Sequence, residues 1–185
     1  MHNRVTGLGS IFLVSAVIGC GGGGGMPTNL PPATKLMSLT PAQQTQICND
    51  ISNYSVHNLS QASFCKYAGV ATAAFLLASD SSTPDATLRD ACTQTVTECN
   101  ASAPDTSGST CDFSGVTTCT ADATIANLNT CIADEVSAEN AAFAALPACA
   151  ALGRAWLTAN GDAAGSFTEP ASCISLSAKC PDVGM

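Results

Sequence analysis

The sequence predicts an all-α fold, a single disulfide-rich bundle of about five to six helices joined by loops. Apolar residues recur at spacings of three and four along most of the chain after residue 38, which is helical periodicity. The cysteines lie on or beside these apolar stripes. No segment alternates convincingly between apolar and polar residues, as a half-buried strand does. The folded part, about 150 residues, has the size of one domain.

The first three helices are predicted from their start signals and apolar stripes. Thr40 followed by Pro41 is a typical helix start, and Thr83 followed by Pro84 is another. The stripes are Ile47, Ile51 and Tyr54 in the first helix, Phe64, Ala68, Ala71 and Phe75 in the second, and Leu88, Cys92, Val96 and Cys99 in the third. Each stripe is expected to face the core.

The second half of the chain is predicted to continue in the same way. Residues 109–116 resemble a loop, and a fourth helix begins near Thr120, either running on through Leu146 or breaking before Glu139. Pro147 should end or kink it. The stripes are Ile125, Leu128, Ile132 and Val136, then Cys149, Leu152 and Trp156, and, after a turn at Asn160 and Gly161, Leu176 with its neighbouring cysteines in a short helix over residues 168–180.

Residues 1–19 have the three zones of an export signal: Arg4 with the free amine, an apolar stretch, then small residues. The apolar stretch is shorter than the about 20 residues that a membrane span needs, which favours a cleaved signal. Residues 17–20, Val-Ile-Gly-Cys, resemble the lipobox of bacterial lipoproteins. The resemblance implies that Cys20 becomes the lipidated first residue. The alternative is an ordinary signal peptide followed by an unrelated cysteine.

Residues 20–37 are predicted to be a flexible tether, because five glycines follow Cys20 and a polar, proline-containing run continues to Lys35. A Gly-rich coil of about eighteen residues has a root-mean-square reach of roughly 23 Å. The helical cysteine-rich domain is then expected to occupy residues 38–185 and to lie close to its membrane. Two or more acyl chains on Cys20, as the lipoprotein resemblance implies, would make the attachment stable.

The number of cysteines is odd, and thiols of exported proteins normally pair. Assigning Cys20 to the lipid leaves ten of the eleven cysteines for five disulfides. These are Cys48, Cys65, Cys92, Cys99, Cys111, Cys119, Cys131, Cys149, Cys173 and Cys180. Cys92 and Cys99 should not pair, because seven residues of straight helix separate them by about 10.5 Å along the axis. The sequence selects no particular pairing.

The charge balance excludes some partners. Without Arg4, five basic residues face fourteen acidic ones, a formal charge of −9. This balance argues against nucleic acid and against adsorption to anionic lipid, so that the membrane is expected as a partner only through the lipid on Cys20. In a Gram-negative cell, Gly21 is not the aspartate that resembles an inner-membrane retention signal, which favours the outer membrane. The sequence does not indicate which leaflet of the outer membrane holds the lipid.

Short cysteine-centred patterns resemble those of small cysteine-rich lipoproteins and secreted proteins of myxobacteria, most of them of unknown function. They are residues 46–50, residues 118–121 leading to Cys131, and residues 146–149. The resemblance implies a general type of small cysteine-rich protein, and it implies no particular activity.

The motifs of enzymes and metal sites are absent from the sequence. His57 is the single histidine after residue 19, and its place near the end of the first helix indicates a helix-end or surface residue more than a catalytic base. No cysteine pair has the spacing of a zinc, haem or iron–sulfur site. We therefore expect no catalytic residue, no metal and no cofactor.

The sequence thus favours a non-enzymatic envelope module that works by contact with an unknown envelope component or by mechanical presence. The second hypothesis is a carrier for a small apolar ligand, held in a cavity between disulfide-tied helices and lined by Phe64, Phe75, Phe143 and Trp156. An enzyme is the third and would require a cleft that gathers His57 or several carboxylates.

Overall fold

Residues 25–102, 113–161 and 168–181 are described by the structure, a computed structural model. Cys20 and Cys111 lie outside them. The described helices are α1 Pro41–Asn58, α2 Gln61–Ser79, α3 Asp85–Ala101, α4 Ile125–Ala145, α5 Arg154–Asn160 and α6 Ala171–Lys179. Short 3-10 helices span Leu36–Ser38, Ser114–Thr118 and Cys149–Ala151. The all-α, disulfide-rich prediction is confirmed, since the described residues contain no strand and only one isolated bridge, between Lys35 and Thr124.

Local hydrogen bonds explain where α1 and α4 begin. At α1, Gln43 N donates to Thr40 Oγ1 over 3.3 Å while Thr40 N donates to Gln43 Oε1 over 3.0 Å. This reciprocal pair satisfies two amides that the first turn leaves without helical partners. The α4 helix starts at Ile125, later than Thr120, because residues 120–123 form a turn held by Ala123 N donating to Thr120 O.

The α4 helix runs unbroken to Ala145, so that the alternative of a break before Glu139 is wrong. Pro147 follows its C-cap residue Leu146, as expected for a residue that cannot continue a helix. The last helix begins at Ala171, not at residue 168. Pro170 is its N-cap residue, and a proline holds the residue before it in extended backbone.

Two predicted elements differ from the structure. The described end of the predicted loop over residues 109–116 belongs to the 3-10 helix Ser114–Thr118, which buries Val116. The predicted helical piece with Cys149, Leu152 and Trp156 is divided into a 3-10 helix and α5. Backbone groups at the break bind α3 side chains: Leu152 O accepts from Arg89 Nε over 2.6 Å, and Arg154 N donates to Asp85 Oδ1 over 2.9 Å.

The predicted tether is shorter than the sequence indicated. Pro27, Thr28 and Leu36 are buried against the helices, although residues 20–37 were expected to be free of the domain. Thr28 N donates to Asn129 Oδ1 of α4 over 3.0 Å, and Asn29 N donates to Asp50 Oδ2 of α1 over 3.0 Å. The packed domain therefore begins near residue 27, not at residue 38.

The core consists of two clusters of buried side chains, and α2 contributes to both. The first cluster joins the N-terminal segment with α1, α4 and α6, and Phe64 and Tyr67 of α2 pack against it. The second joins Val70 and Ala73 of α2 with α3 and α5. Leu146, after α4, contacts both clusters. The helix α2 is thus the element through which the two halves of the core are continuous.

The buried face of α2 is not the predicted one. The stripe of Phe64, Ala68, Ala71 and Phe75 was expected to face the core, but Phe75 is 71% exposed. The buried residues are Cys65, Gly69, Val70 and Ala73, on the other side of the helix. Both faces are apolar, and close approach to α3 decides between them, because small residues let the two backbones come near each other.

Disulfides join the helices to one another, either directly or through residues next to a helix end. The described pairs are Cys65–Cys99, Cys92–Cys149, Cys119–Cys180 and Cys131–Cys173, with Cα separations of 5.5, 5.6, 4.1 and 4.6 Å. They link α2 to α3, α3 to the 3-10 helix before α5, the segment before α4 to the end of α6, and α4 to α6. Cys48 is also disulfide-bonded. Cys92 and Cys99 each bond to another helix or turn and not to each other.

We predict that Gly69→Ala destabilises the domain by about 1 to 3 kcal/mol. A Cβ at Gly69 would lie 2.7 Å from Val96 Cγ2 and 2.8 Å from Cys92 O, so that α2 and α3 would have to separate. Alanine is more favourable than glycine in a helix by about 1 kcal/mol. A net loss of stability in this variant would therefore indicate the close contact between the two helices. Urea denaturation followed by circular dichroism measures the effect. Ala78→Leu, on the exposed side of α2, is the matched control and should change stability by less than about 0.5 kcal/mol.

Candidate functional site

The N-terminal segment enters the domain beside a polar depression on α1. The depression has a volume of about 310 Å³, and its lining includes Asn29, Asp50, Tyr54 and His57. Both carboxylate oxygens of Asp50 accept hydrogen bonds from Asn29, from its backbone N at 3.0 Å and from its side-chain Nδ2 at 3.2 Å. Asp50 therefore fastens the entering segment to α1 and is occupied by that contact.

His57 lies exposed in the last turn of α1. Its Nδ1 is 2.6 Å from Asn53 O, and since a carbonyl only accepts, Nδ1 carries the proton and donates. A catalytic dyad would instead place a carboxylate on this nitrogen. The structure puts His57 at a helix end, bound to its own helix, which is where the sequence placed it.

Three glutamates lie on α4 and just before α6, with Glu135 close enough to act on Glu139 and itself acted on by Glu169. Glu135 and Glu139 are half-buried and lie one turn apart on α4, on the same stripe as Cys131. Glu169 precedes α6 by two residues and lies close enough to Glu135 to act on its charge. None of the three was predicted from the sequence to be a site residue. Their spacing of four from Cys131, a core residue, was the signal that could have identified them.

Burial and repulsion from neighbouring carboxylates raise the pKa values of Glu135 and Glu139. Burial raises the pKa of Glu139 to about 7, with a further contribution from the charge of Glu135. The pKa of Glu135 is raised as well, mainly by burial and then by Glu169. Neither shift is caused by a hydrogen bond or a cation. Glu139 is thus able to exchange a proton near neutral pH, where an ordinary glutamate is fully ionised.

The described residues contain one group with the composition of a metal site: Cys131, Glu135 and Cys173, whose ligand atoms all lie within 4.8 Å of one another. The two sulfur atoms are bonded to each other in the Cys131–Cys173 disulfide, so that they are not available as thiolates. What remains is a single carboxylate, which is too little for a metal site.

Other carboxylates have local structural roles. Asp80 accepts from the hydroxyl and the backbone N of Ser82, and these two bonds lower the pKa of Asp80. Asp122 accepts from Thr120 Oγ1 and lies 3.0 Å from Lys179 Nζ, which lowers the pKa of Asp122. Both side chains stabilise turns next to helix ends.

The four aromatic residues of the carrier hypothesis do not share a cavity. Phe143 is 5% exposed, and its ring stacks on Tyr67 with the centroids 4.5 Å apart. Trp156 packs against the second core cluster, away from Phe64 in the first, and Phe75 is exposed. A second surface depression, of about 760 Å³, lies between the starts of α3 and α5. Neither depression is lined by any of the four aromatic residues.

The outer face of α2, which we define as Ala68, Ala71, Thr72, Phe75 and Ala78, carries no charge. The one charged residue of α2 is Lys66, and its ammonium group points to another helix. Lys66 Nζ donates to Ala144 O over 2.7 Å and to Leu146 O over 2.9 Å. A cation at these carbonyls is favourable because they form the negative end of α4. The outer face is therefore an apolar helical surface without a charge of its own.

By length and composition alone, α2 is apolar enough to cross a membrane, with a mean hydropathy of 1.3 over an 18-residue window. In this fold the helix packs against α3, α4 and α5 and is bonded to α3 through Cys65 and Cys99. We therefore treat α2 as an element of the folded domain.

We predict that Glu139→Gln raises the melting temperature at pH 8 by about 2 to 4 °C, allowing for solvent screening of a half-exposed group. The pKa of Glu139 is about 7 in the folded chain against 4.5 in the unfolded one, so the unfolded chain loses this proton first as pH rises. The destabilisation is absent below about pH 4.5, grows up to pH 7 and is then constant. At pH 4.5 the variant should therefore melt with the wild type.

Thermal melts followed by circular dichroism at several pH values check this expectation. Asp90→Asn removes a carboxylate from the exposed side of α3 and is the matched control. An equal gain for both variants at pH 8 would assign the effect to net charge and not to the site.

Comparisons with known proteins give no relative from which a role could be taken. No protein-family model, no curated protein and no solved structure matches the chain. The function is therefore argued from the residues themselves.

Proposed function

We propose that the chain is a lipid-anchored module of the bacterial cell envelope, attached through Cys20 and acting by contact with another envelope component. The observation that carries the proposal is the docking of the N-terminal segment. Thr28 and Asn29 are hydrogen-bonded to α4 and α1, only about eight residues after Cys20. A fully extended chain from Cys20 to residue 27 reaches about 25 Å, so that a lipid on Cys20 would keep the domain at the membrane surface.

The disulfides support an address outside the cytoplasm. Such bonds form and persist in oxidising compartments and are rare where thiols are kept reduced. Four described pairs connect most of the helices, and each contributes about 2 to 4 kcal/mol by restricting the unfolded chain. In a Gram-negative cell, we place the module at the outer membrane because residue 21 is glycine.

The outer face of α2 is the surface on which we expect contact. Phe75 is 71% exposed, the largest such value among the exposed large apolar side chains of the described residues. Its neighbours on this face are alanines and a threonine, so a partner can approach the helix backbone closely. A single exposed apolar residue is common on protein surfaces. A whole helix face without charge is less common, especially in a chain with fourteen acidic residues.

The first test concerns the anchor. In the native bacterium, we expect the wild-type protein to begin at Cys20, to carry acyl mass and to sediment with membranes. Cys20→Ser should remove the acyl mass and release the folded domain from the membrane fraction. Intact-mass analysis and cell fractionation measure both, and Gly22→Ser is the control that leaves the cysteine in place. A wild-type protein that starts upstream of Cys20 or lacks acyl mass would contradict the proposed anchor.

The second test concerns the contact surface. A photo-crosslinking amino acid at position 75 should give a discrete adduct in intact cells, because this side chain lies at the centre of the uncharged face. The same amino acid at position 90, on the exposed side of α3, is the control and should give none. The adduct should decrease in a Cys20→Ser background, where the domain has left the membrane. Equal yields at both positions would contradict the contact surface while leaving the anchor intact.

A further inference from the structure

The disulfide between α4 and α6 has a carboxylate beside it. Cys131 and Glu135 lie one turn apart on the same side of α4, and Cys173 is the third residue of α6. The two sulfur atoms and a carboxylate oxygen of Glu135 all lie within 4.8 Å of one another. None of the other described disulfides belongs to such a group. This bond is therefore chemically distinct from the others in the described part of the chain.

The Glu135 carboxylate has no partner of opposite charge among the described residues. It is half-buried, and neither a hydrogen-bond donor nor a cation of these residues meets it. Lys66 donates to carbonyls at the end of α4, and Lys179 binds Asp122. A buried charge is costly unless it is paired or coordinates a metal ion. The position of Glu135 therefore suits a metal ligand better than it suits a structural ion pair.

The distances in this group fit the coordination sphere of zinc. Zinc binds thiolate sulfur at about 2.3 Å and carboxylate oxygen at about 2.0 to 2.2 Å, so that two ligands of one tetrahedral ion are about 3.6 to 3.8 Å apart. In the oxidised chain the two sulfur atoms are bonded to each other and are not available as ligands. Once they are reduced, small displacements bring all three ligand atoms to these separations, since they already lie within 4.8 Å.

We propose that Cys131, Glu135 and Cys173 form a zinc site that becomes available only when the disulfide between the two cysteines is reduced. A dithiol reductant supplies two electrons and two protons: the bond between the sulfur atoms breaks, two thiols form, and the reductant becomes a cyclic disulfide. Zinc then binds both sulfur atoms as thiolates, and their two protons pass to the solvent. Glu135 supplies the third ligand, and a water molecule completes the tetrahedron.

The fold keeps these ligands together after the bond is broken. Cys180, directly after α6, remains bonded to Cys119 in the segment before α4. At the other end of α6, Ser172 Oγ donates to Asp134 Oδ2 of α4 over 2.6 Å. Both contacts hold Cys173 near α4, so that zinc meets ligands that are already arranged and loses little free energy in ordering them. The proposal depends on the folded domain alone and is independent of the lipid anchor.

A redox titration with and without zinc tests the site. The purified protein is equilibrated anaerobically in mixtures of reduced and oxidised dithiothreitol, either without zinc or at about 1 µM free zinc, a concentration that fills thiolate zinc sites. Differential alkylation and mass analysis give the ratio of reduced to oxidised form for each cysteine pair. We expect zinc to raise this ratio for Cys131–Cys173 by about tenfold or more, because binding to the reduced form alone shifts the equilibrium. The ratio for Cys92–Cys149 should change by less than about twofold and is the internal control.

A variant of the carboxylate separates this site from ordinary thiol binding. Glu135→Gln keeps the size of the side chain and removes the anionic ligand, so the effect of zinc on Cys131–Cys173 should fall below about threefold. Glu139→Gln, one turn further along α4 and outside the group, is the matched control and should respond as the wild type does. The proposal is overturned if zinc leaves the wild-type ratio unchanged, if it raises the ratios of all pairs equally, or if Glu135→Gln responds as strongly as the wild type.

Discussion

The close contact between α2 and α3 is the constraint on which the rest of the fold depends. Gly69 lies against Cys92 and Val96, and a side chain there would meet atoms of α3 at less than 3 Å. This approach places Cys65 beside Cys99 and leaves Cys92 to reach Cys149. It also turns Phe75 to the outside. A core with few large side chains gains little from each contact, so covalent bonds between the helices supply much of what packing cannot.

Helix positions could be predicted from the sequence, but the buried face of α2 could not. Spacings of three and four and caps such as Thr40 locate a helix because they depend on local geometry. In α2 both sides are apolar, so periodicity gives no preference between Phe75 and Gly69. A glycine between a cysteine and an alanine, each four residues away, marks close approach more reliably than an aromatic residue does. Cys65 lies on the buried side of α2, so its position in the sequence indicated the face that packs against α3.

The candidate sites show the same division between local and tertiary information. His57 was predicted to lie at a helix end, and it does, because its environment is its own helix. The glutamates were not predicted, since a carboxylate in a helix ordinarily faces water. Their burial depends on the helices that pack against α4, and the sequence pattern does not show which parts of the chain these are. The docking of Thr28 was missed for the same reason, because its partner Asn129 is 101 residues away.

A domain whose helices are joined by disulfides can change its conformation only in segments that the disulfides do not fix. In the described residues, Cys173 and Cys180 fix both sides of Leu176, while the turn before Cys173 is held to α4 by a hydrogen bond from Ser172 to a carboxylate. A hydrogen bond contributes far less to stability than a disulfide does, so the first turn of α6 is the less constrained end of that helix. Local opening at this turn is therefore expected to require less free energy than separation of α2 from α3, which are joined through Cys65 and Cys99.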